Sequence, residues 1–385
     1  MTAATRGSAA SSRVGAGYDV VVVGAGVAGA ALAESLVARS DCSVLVCEAG
    51  EVPGLHSSGR SVAVFDPLYG NADVQALTAA SRDRLGRGVL DDGTLLVPRD
   101  LIEVAGPGEV SQLEEAFPPG TAGIERLDAA ALLAAFPAVR PGALVAGAAH
   151  VDAADLDVGR LHGDLLTSAR RGGAVVVLGA PVRGFARTPS GRWRLDVDGA
   201  LVEADVVVDA AGAWADDVAR RAGAAPRGIT PLRRTVGVVP RPDPSAAGWA
   251  MLAHIGSGWY VKPDGATLLV SPADAVPVAA GDPRADELEL ARAIEAVNEA
   301  TTLQVRRVSR TWAGLRTYAP DERPLIGFDP DVEGFFWHAA FGGFGLQVAL
   351  AAGRLAADLL LRQVPHLDPR AYAPSRLVAT ECAHA

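Results

Sequence analysis

The stretch YDVVVVGAGVAGAALAESL, residues 18–36, restricts the fold more than any other part of the chain. Its run of four valines is typical of a buried parallel strand, and the small residues after the glycines predict a helix. Gly24, Gly26 and Gly29 give the spacing G-x-G-x-x-G, in which a tight turn brings the backbone close to a pyrophosphate at a helix N-terminus. The stretch therefore predicts a dinucleotide site in a Rossmann-like α/β fold.

A second strand supports this interpretation and leaves the identity of the dinucleotide open. The sequence CSVLVCE at residues 42–48 is apolar and ends in Glu48, 24 residues after Gly24. That is close to the spacing expected of the acid that binds a nucleotide ribose. Because NAD and FAD both carry a ribose and a pyrophosphate, the choice between them has to come from other parts of the chain.

Length, charge and cysteine content exclude several classes of protein. A chain of 385 residues exceeds one usual hydrophobic core, so two domains are expected. A net charge of −10 argues against nucleic acid or an anionic membrane as a partner, because both need a basic face. The longest apolar run, residues 20–33, is too short to span a bilayer, which predicts no membrane insertion. Three cysteines and scattered histidines predict neither a disulfide framework nor a metal site.

The N-terminal residues point to a cytoplasmic protein. The first 17 residues are small and polar, and they lack the apolar core of a signal peptide. We expect them to form a disordered tail. Because the sequence also shows no membrane span and no paired cysteines, it predicts a cytoplasmic location.

Two later stretches repeat the order of strand, small-residue turn and helix. Residues 204–223 read ADVVVDAAGAWADDVARRAG, and residues 334–360 contain an apolar strand, the turn GGFG and a long amphipathic helix. An NAD enzyme has no need of a second glycine-rich junction so far from the first. A flavin has such a need, because its ring carbonyl gains negative charge on reduction and a helix N-terminus stabilises that charge. The pattern therefore favours FAD.

At these residues the chain resembles the D-amino-acid oxidase superfamily of FAD-dependent amine oxidoreductases, which includes glycine oxidase and sarcosine oxidase. Within that superfamily the likeness is greatest to the D-arginine dehydrogenase branch. The resemblance extends in order over nearly the whole chain. Its matching stretches are HSSGRSVAVFDPLYGN (56–71), ALTAASR (76–82), AAGAWAD (210–216), PLRRTVG (231–237), WYVKPDG (259–265), TWAGLR (311–316) and GFFWHAAFGGFGLQ (334–347).

The resemblance implies two domains that alternate along the chain. A Rossmann-like FAD-binding domain is expected from three segments, 18–96, 147–213 and 313–385. A second, α+β substrate domain is expected from residues 97–146 and 214–312, built on a mixed or antiparallel sheet. The sequence itself adds an amphipathic helix at 286–301, which this second domain would contain.

The resemblance also implies the residues that hold the cofactor. None of the cysteines falls in a stretch expected near the flavin ring, which predicts that FAD is bound non-covalently. The residues expected to contact FAD are Gly24, Gly26, Val27, Ala28, Gly29, Glu48, Ala49, Ser57, Ser58, Gly59, Arg60, Ser61, Ala63, Val182, Gly212, Trp214, Gly314, Arg316, Gly342, Gly343, Phe344, Gly345, Leu346 and Gln347.

A further implication is a site for the substrate carboxylate. Arg316 matches the superfamily's carboxylate-binding arginine, whose guanidinium fork can make two parallel hydrogen bonds. Arg234 matches a second arginine of the D-arginine dehydrogenase branch, and Tyr69 and Tyr260 match tyrosines that close over the carboxylate. These four residues form the expected catalytic group, because placement of the α-carbon supplies most of the catalysis. No general base is evident, and His338 is expected to be a packed histidine.

The remaining pocket residues predict the kind of substrate arm. In the D-arginine dehydrogenase pattern a histidine and a glutamate meet a cation, and Val64 and Leu101 stand at the matching positions here. We therefore predict an apolar arm; with a different gap placement, Glu103 becomes a cation partner instead. Asp66 either faces the pocket and holds an ammonium group or stabilises a turn. The predicted pocket residues are Val64, Phe65, Leu101, Phe341 and His338.

Together these expectations describe an FAD-dependent oxidoreductase that oxidises the C–N bond of a D-amino acid or an N-substituted glycine. Hydride transfer to flavin N5 would give an imine, which water hydrolyses to a 2-oxo acid such as glyoxylate. Two alternatives stay open: a D-amino-acid dehydrogenase of broad apolar range, and a non-catalytic flavin-binding subunit of a larger complex. The electron acceptor, oxygen or another molecule, is also open. Lys262, the only lysine, is the one candidate for activating oxygen.

Overall fold

The N-terminal valine run forms the centre of a parallel sheet, as its sequence predicts. The computed structural model describes residue 14 and residues 17–377 except 242 and 257, so most of the predicted tail and Cys382 lie outside the described residues. Strand β1 (Gly17–Val23) lies between β2 (Val44–Cys47) and β12 (Ala200–Asp209), and both neighbours run parallel to it. All four residues of β2 are buried, which suits a strand covered on both faces.

This first sheet has eight strands in the described part of the chain. Its other members are β9 (Val175–Val177), β10 (Val182–Arg187), β11 (Trp193–Val197), β19 (Leu325–Phe328) and β20 (Phe335–Ala339). β9 extends the parallel part beyond β2, and β20 extends it beyond the second half of β12. The β10–β11 hairpin pairs antiparallel with the first half of β12, and β19 pairs antiparallel with β20.

Helices cover both faces of the first sheet. They are α1 (Val27–Val37), α2 (Ala72–Arg87), α5 (Val158–Arg171), α6 (Ala215–Arg221) and α8 (Gly345–Leu360). α6 covers the face that carries Val21, whereas α1 and α8 cover the face that carries Val20 and Val22. The start of α8 at Gly345 confirms the helix predicted after the turn GGFG.

A second sheet of nine strands forms from two separate parts of the chain. Its strands are β5 (Leu101–Ala105), β6 (Ile124–Asp128), β7 (Ala146–His150), β13 (Thr230–Pro240), β14 (Met251–His254), β15 (Tyr260–Asp264), β16 (Thr267–Ser271), β17 (Val276–Pro277) and β18 (Arg310–Tyr318). Their order is β6-β7-β5-β14-β15-β16-β13, with β17 beside β16 on one edge of β13 and β18 on the other. Only β5 and β14 pair in parallel. The sheet is therefore mixed, which confirms the predicted architecture.

Smaller elements complete the described structure. The second sheet carries helices α3 (Val110–Ala116), α4 (Ala129–Ala135) and α7 (Glu287–Ala300), and the last of these lies within the helix predicted at 286–301. A three-stranded sheet of β3 (Val64–Phe65), β8 (Ala154–Leu156) and β4 (Leu96–Pro98) lies apart from both large sheets. Short 3₁₀ turns occur at Ser58–Arg60, Gly212–Trp214, Pro244–Gly248, Pro369–Ala371 and Pro374–Arg376. Among the described residues, no helix combines the length and apolar character needed to cross a membrane.

The pairing of β7 and β18 and the packing of α6 do not fit the predicted domain boundaries. β7 pairs with β5 as far as His150, so the second sheet continues past the predicted boundary at 146. β18 pairs with β13 as far as Tyr318, so the second sheet also continues past the predicted boundary at 312. α6 packs on the first sheet although its residues were assigned to the second domain. The division into five segments stays a prediction, and these pairings set the elements that any boundary must respect.

The contact between α1 and α8 offers a test of the packing. Gly353 of α8 lies so close to α1 that an added Cβ would stand 2.7 Å from the Ala31 carbonyl oxygen. Gly353→Ala should therefore lower the free energy of unfolding by about 1–3 kcal/mol. Gly86 of α2 has open space around it, and Gly86→Ala should raise that free energy by up to about 1 kcal/mol. Thermal unfolding of the two variants checks this, and equal melting temperatures would contradict the close approach.

Candidate active site

Three adjoining cavities run from the carboxyl ends of the first sheet to the second sheet. The first cavity, of about 1090 Å³, is lined by Glu48 and Val182. The second, of about 880 Å³, is lined by Ala28 and Gly314, and the third, of about 1180 Å³, by Leu101. The first two share Ser57, Ser58 and Gly212, and the last two share Arg234, Tyr260 and Arg316. The three cavities therefore form one continuous trough.

The glycine turn between β1 and α1 closes one wall of this trough. Gly24 has φ +108°, and an added Cβ would lie 2.5 Å from the carbonyl oxygen of Ala210. Gly29 packs on the turn from behind, because its Cβ would lie 2.0 Å from the Gly24 carbonyl oxygen. Gly26 lines both the first and the second cavity. Only glycine permits this geometry, which leaves the start of α1 open to a phosphate.

Glu48 stands at the end of β2, where the sequence predicts the ribose-binding acid. Its Oε2 accepts a hydrogen bond from the Ala25 N–H at 2.9 Å, and its Oε1 accepts one from the Gly50 N–H at 2.8 Å. The carboxylate is thus fixed in the wall of the first cavity. Trp214 lines the same cavity, with its ring 4.7 Å from that of His56. This end of the trough can hold a nucleotide.

The serine-rich loop 56–61 fastens the trough to β18. Ser57 Oγ donates to the Leu315 carbonyl oxygen at 2.6 Å, and the Trp312 indole N–H donates to the Arg60 carbonyl oxygen at 3.1 Å. Ser58 Oγ accepts the Val27 N–H at 3.0 Å, which ties the same loop to the start of α1. These bonds give the loop one position between the two sheets.

Most residues predicted to contact the cofactor line the first or second cavity. They are Gly24, Gly26, Val27, Ala28, Glu48, Ala49, Ser57, Ser58, Arg60, Ser61, Val182, Gly212, Trp214, Gly314, Arg316, Gly342, Gly343, Gly345 and Leu346. Gln347 lines the third cavity instead, because its side chain turns towards Asp66 and Thr78. The structure thus brings these predicted residues together along one trough.

Four predicted cofactor residues line none of the three cavities. Gly29 lies behind the glycine turn, and the Gly59 N–H donates to the Gly54 carbonyl oxygen within its own loop at 2.7 Å. Ala63 has φ +58° where the chain turns into β3. The Phe344 ring is buried, 6.0 Å from that of Tyr69. These residues shape the trough from outside, so their prediction as direct contacts has no support in the geometry.

The predicted carboxylate site lies where the second and third cavities meet. Opposite residues of an antiparallel pair share a face, and Arg234 lies opposite Gly314, two residues from Arg316. The two guanidinium groups therefore project from one face of β13 and β18. Arg316 Nη1 donates to the Tyr69 hydroxyl at 3.2 Å, and Tyr260 lines the same border. The structure thus brings the four predicted catalytic residues together.

The electrostatics of this group favour an anion. Burial lowers the pKa of Arg234, and the like charge of Arg316 lowers it further. Although burial alone would raise the pKa of the Tyr69 hydroxyl, the Arg316 guanidinium holds it below its usual value. Within the described residues, neither arginine forms an ion pair with a carboxylate. Two converging cations that no carboxylate pairs with directly in the described residues are suited to a substrate carboxylate.

Tyr318 belongs to the same group, although the sequence analysis did not select it. Its hydroxyl accepts the Gly343 N–H at 3.1 Å and lies 3.4 Å from the Tyr69 hydroxyl. Burial and the neighbouring Tyr69 raise the pKa of Tyr318, so it stays a neutral phenol. The signal was present, because Arg316 and Tyr318 lie two residues apart on β18 and therefore share a face.

The third cavity has an apolar wall of Val64, Leu101, Met251 and Ala253. The predictions for Val64 and Leu101 agree with this placement. Phe65 does not line the pocket, because alternate residues of β3 point to opposite faces and its ring is buried in the core with Leu85 and Leu95. That prediction is wrong. Phe341 and His338 line the second cavity rather than the third, with ring centres 4.9 Å apart.

Two carboxylates also face the third cavity. Glu103 shares a face of β5 with Leu101, and no hydrogen bond from another described residue reaches its carboxylate. Burial raises the pKa of Glu103 to about 7, against the charge of His150, which lowers it. Asp66 Oδ1 accepts the Leu68 N–H and lies 2.9 Å from His150 Nδ1. Asp66 therefore both stabilises a turn and lines the pocket, and its role in holding an ammonium group stays a prediction.

His338 and Lys262, the two basic residues that the sequence analysis considered for chemistry, are poorly placed for it. Burial lowers the pKa of His338 to about 3, so its ring is neutral at physiological pH. This supports its interpretation as a packed histidine. The Lys262 ammonium lies 2.8 Å from Asp155 Oδ1, and Lys262 lines none of the three cavities.

Comparison with known proteins gives the site a context. The family model "DAO: FAD dependent oxidoreductase" matches residues 19–359. The chain is 30% identical over 376 residues to the glycine oxidase of Pseudomonas putida strain KT2440, an alignment that covers 92% of this chain and 98% of that protein. The crystal structure of glycine oxidase from Geobacillus kaustophilus has a TM-score of 0.82 at 23% identity and covers 94% of this chain and 100% of that one.

A third comparison includes the cofactor. Dithionite-reduced L-α-glycerophosphate oxidase from Mycoplasma pneumoniae, with FAD bound, has a TM-score of 0.78 at 20% identity. The match covers 92% of this chain and 97% of that one. At this level of identity the likeness shows a shared fold.

The cysteines allow a test of how the flavin is held. Cys47 lines the first cavity beside Glu48, and Cys42 lines none of the three. Burial raises the pKa of Cys47 to about 12 and that of Cys42 to about 11, so neither is a ready thiolate. We expect acid precipitation of the purified protein to leave the yellow colour in the supernatant. Colour retained in the washed pellet would contradict non-covalent binding.

Proposed function

Because the chain belongs to the DAO family of FAD-dependent oxidoreductases, we propose that it oxidises the carbon–nitrogen bond of an α-amino acid. The observation that carries this proposal is the convergence of Arg234 and Arg316 where the second and third cavities meet. Neither arginine has a carboxylate partner in the described residues. An α-amino acid supplies the missing anion and, on the adjacent carbon, the bond to be oxidised.

FAD is the cofactor, and the chemistry of the trough fits it. The glycine turn and the start of α1 suit the pyrophosphate, and the fixed carboxylate of Glu48 suits a ribose. Loop 56–61 and the turn at 342–346 would border the flavin ring in the second cavity. When bound, FAD accepts a hydride from the substrate's α-carbon.

The protein's own groups contribute binding and orientation. Arg316 and Arg234 would hold the carboxylate by charge-assisted hydrogen bonds, with the Tyr69 and Tyr260 hydroxyls beside them. This fixes the α-carbon at the border with the second cavity. Such placement lowers the entropy cost of the reaction. A substrate that binds with a neutral amine uses the nitrogen lone pair to form the imine, so no general base among the pocket residues is required. Water then hydrolyses the imine to a 2-oxo acid and ammonia or an amine.

Two classes of substrate arm suit the third cavity, each for a different reason. The wall of Val64, Leu101 and Met251 favours an apolar arm, which gains about 0.8 kcal/mol per buried methylene. The free carboxylate of Glu103 favours an arm that ends in a cation. We propose the apolar arm as the main class, on a D-amino acid or an N-substituted glycine. The likeness to glycine oxidase supports the second form, whose product would be glyoxylate.

One experiment distinguishes this proposal from two alternative hypotheses. In the first, the protein is a D-amino-acid dehydrogenase of broad apolar range; in the second, it is a flavin-binding subunit that turns over no substrate itself. Anaerobic mixing of the holoprotein with a panel of D-amino acids and N-alkylglycines distinguishes them, because only an enzyme's flavin is bleached by its substrate. Readmission of oxygen then tests the acceptor, since only an oxidase regains its colour quickly. We propose a cytoplasmic site of action for this reaction.

Arg316→Ala tests the carboxylate site. Loss of this partly buried cation from its pair with the substrate carboxylate costs on the order of 3–5 kcal/mol. We therefore expect kcat/KM to fall by roughly two to four decades, with the flavin content of the protein unchanged. Arg310→Ala, at an exposed position of the same strand, is the matched control and should keep the activity of the parent. Full activity in Arg316→Ala would remove the anchor of the proposed site.

Substrate preference tests the arm. Burying an unpaired ammonium or guanidinium against an apolar wall costs several kcal/mol, so D-leucine or D-methionine should exceed D-arginine and D-lysine by at least about 100-fold in kcat/KM below pH 7. Because the pKa of Glu103 is about 7, its carboxyl is neutral below that pH and ionised above it. The preference for apolar arms should therefore weaken as the pH rises through 7.

Two variants connect this pH dependence to Glu103. Glu103→Gln should make the ratio of apolar to cationic substrates independent of pH between 6 and about 8, because the amide does not titrate in that range. Glu125→Gln, on the exposed strand β6, should leave the parent's pH profile unchanged. A parent enzyme that prefers D-arginine at every pH would show that Glu103 is a permanent cation partner and that the apolar prediction is wrong.

A further inference from the structure

The segment between β16 and β17 interrupts the hydrogen bonding along one edge of β13. β16 pairs with β13 from residue 237 onwards, and β17 pairs with it at residues 232 and 233. Thr235 lies between these two pairings and therefore lacks a backbone partner on that edge. Side chains replace the missing partners: the Thr235 N–H donates to Asp274 Oδ1 at 2.6 Å, and its carbonyl accepts from Ser271 Oγ at 2.6 Å.

Asp274 makes further contacts with the two residues that precede Thr235. Its Oδ2 accepts from Arg233 Nε and from the Thr235 hydroxyl, each at 3.0 Å. Its backbone carbonyl accepts from Arg234 Nε at 2.6 Å. The Asp274 side chain is 5% exposed, so these contacts are protected from water. Both carboxylate oxygens are thus occupied, and only the backbone of Asp274 bonds to Arg234.

This arrangement has a consequence for the charges around the carboxylate site. Arg234 and Arg316 face one space, and a negative charge close to them reduces their mutual repulsion. A carboxylate bonded directly to their guanidinium forks would compete with the substrate. Asp274 supplies the charge without that competition, because its oxygens are held by Thr235 and Arg233. Arg234 keeps its terminal N–H groups for the substrate.

We propose that Asp274 is a positioning residue for recognition of the substrate carboxylate. It holds the Arg234 guanidinium by its backbone carbonyl, and its fixed charge allows Arg234 and Arg316 to face one anion. This inference rests on the proposed amino-acid site. The adjacent Ala273, with φ +55°, lines the third cavity, so the same segment joins the carboxylate end to the wall of the arm pocket.

The test compares two aspartates that both contact Arg233. Asp286 Oδ2 accepts from Arg233 Nη2 at 2.8 Å and caps α7, but no hydrogen bond joins it to Arg234. Asp274→Asn removes the charge and sets an amide N–H against donors; Asp286→Asn removes an equivalent charge nearby. For Asp274→Asn we expect KM for the amino acid to rise about tenfold and kcat to stay within about twofold, because uniform binding is lost. Asp286→Asn should keep the KM of the parent within about twofold.

Acetate gives a readout that does not depend on turnover. Titration of the holoenzyme with acetate, followed by the change in the flavin spectrum, reports the affinity of the carboxylate site. Its dissociation constant should rise about tenfold in Asp274→Asn and stay unchanged in Asp286→Asn. Asp274→Glu, which keeps the charge, should lie between the parent and Asp274→Asn and serves as the second variant if the asparagine form does not fold.

The outcomes separate this inference from the proposed function. An unchanged KM and acetate affinity in Asp274→Asn would overturn the role of Asp274 while the amino-acid activity stands. Equal losses in Asp274→Asn and Asp286→Asn would also overturn it, because general loosening of β13 would then explain both. If the parent oxidises no amino acid, the proposed function fails, and the acetate titration still measures the effect of Asp274 on anion binding.

Discussion

The pairing of β13 with β18 is the constraint on which the site depends. It runs from Thr230 opposite Tyr318 to Val238 opposite Arg310, and this register sets Arg234 and Arg316 on one face. Two guanidinium groups in a buried space repel each other more strongly than they would in water, because the surrounding dielectric constant is lower. The continuous pairing of the two backbones fixes this register. The fold therefore places two cations side by side on one face of the second sheet.

The same strand also joins the anion site to the cofactor trough. The Leu315 carbonyl accepts from Ser57, and the Trp312 indole donates to the backbone of loop 56–61. Arg316 is thus one residue from a contact with the loop that borders the second cavity. A shift of 1 Å in a catalytic site can cost about 100-fold in rate, so the hydrogen bonds that join loop 56–61 to β18 would matter for the proposed carboxylate site.

Local sequence signals predicted the parts of the structure that depend on neighbouring residues. The glycine turn, the strand ending at Glu48 and the helix after GGFG need only spacing and propensity, and all three are present. Predictions that depend on the alternation of side chains along a strand were less successful. The sequence analysis gave Leu101 and Glu103 as alternatives at the arm pocket. They lie two residues apart on β5 and share a face, so both line the pocket. The assignment of Phe65 failed for the converse reason, because it lies one residue from Val64.

Contacts between segments far apart in the chain could not be predicted from the sequence. Asp274 contacts Thr235 because the segment between β16 and β17 does not pair with β13. No local sequence motif predicts this interruption of the sheet. His150 reaches Asp66 across 84 residues for a similar reason. These long-range polar contacts hold residues that line the third cavity or lie next to its lining, whereas the glycine turn and Glu48 line the first two cavities. Family likeness supplied the positions of the arginines, but not the groups that hold them.

The third cavity contains both an apolar wall and the carboxyl group of Glu103, and protonation of that group makes the two compatible. An ionised carboxylate against an apolar wall would be costly, whereas a protonated one behaves as a small polar group. The walls that suit an apolar arm also bury Glu103, and this burial raises its pKa to about 7. A cation in the arm would reverse the balance by stabilising the ionised form. The pocket's polarity therefore depends on its occupant as well as on its residues, while the arginine end keeps its charge throughout the physiological range.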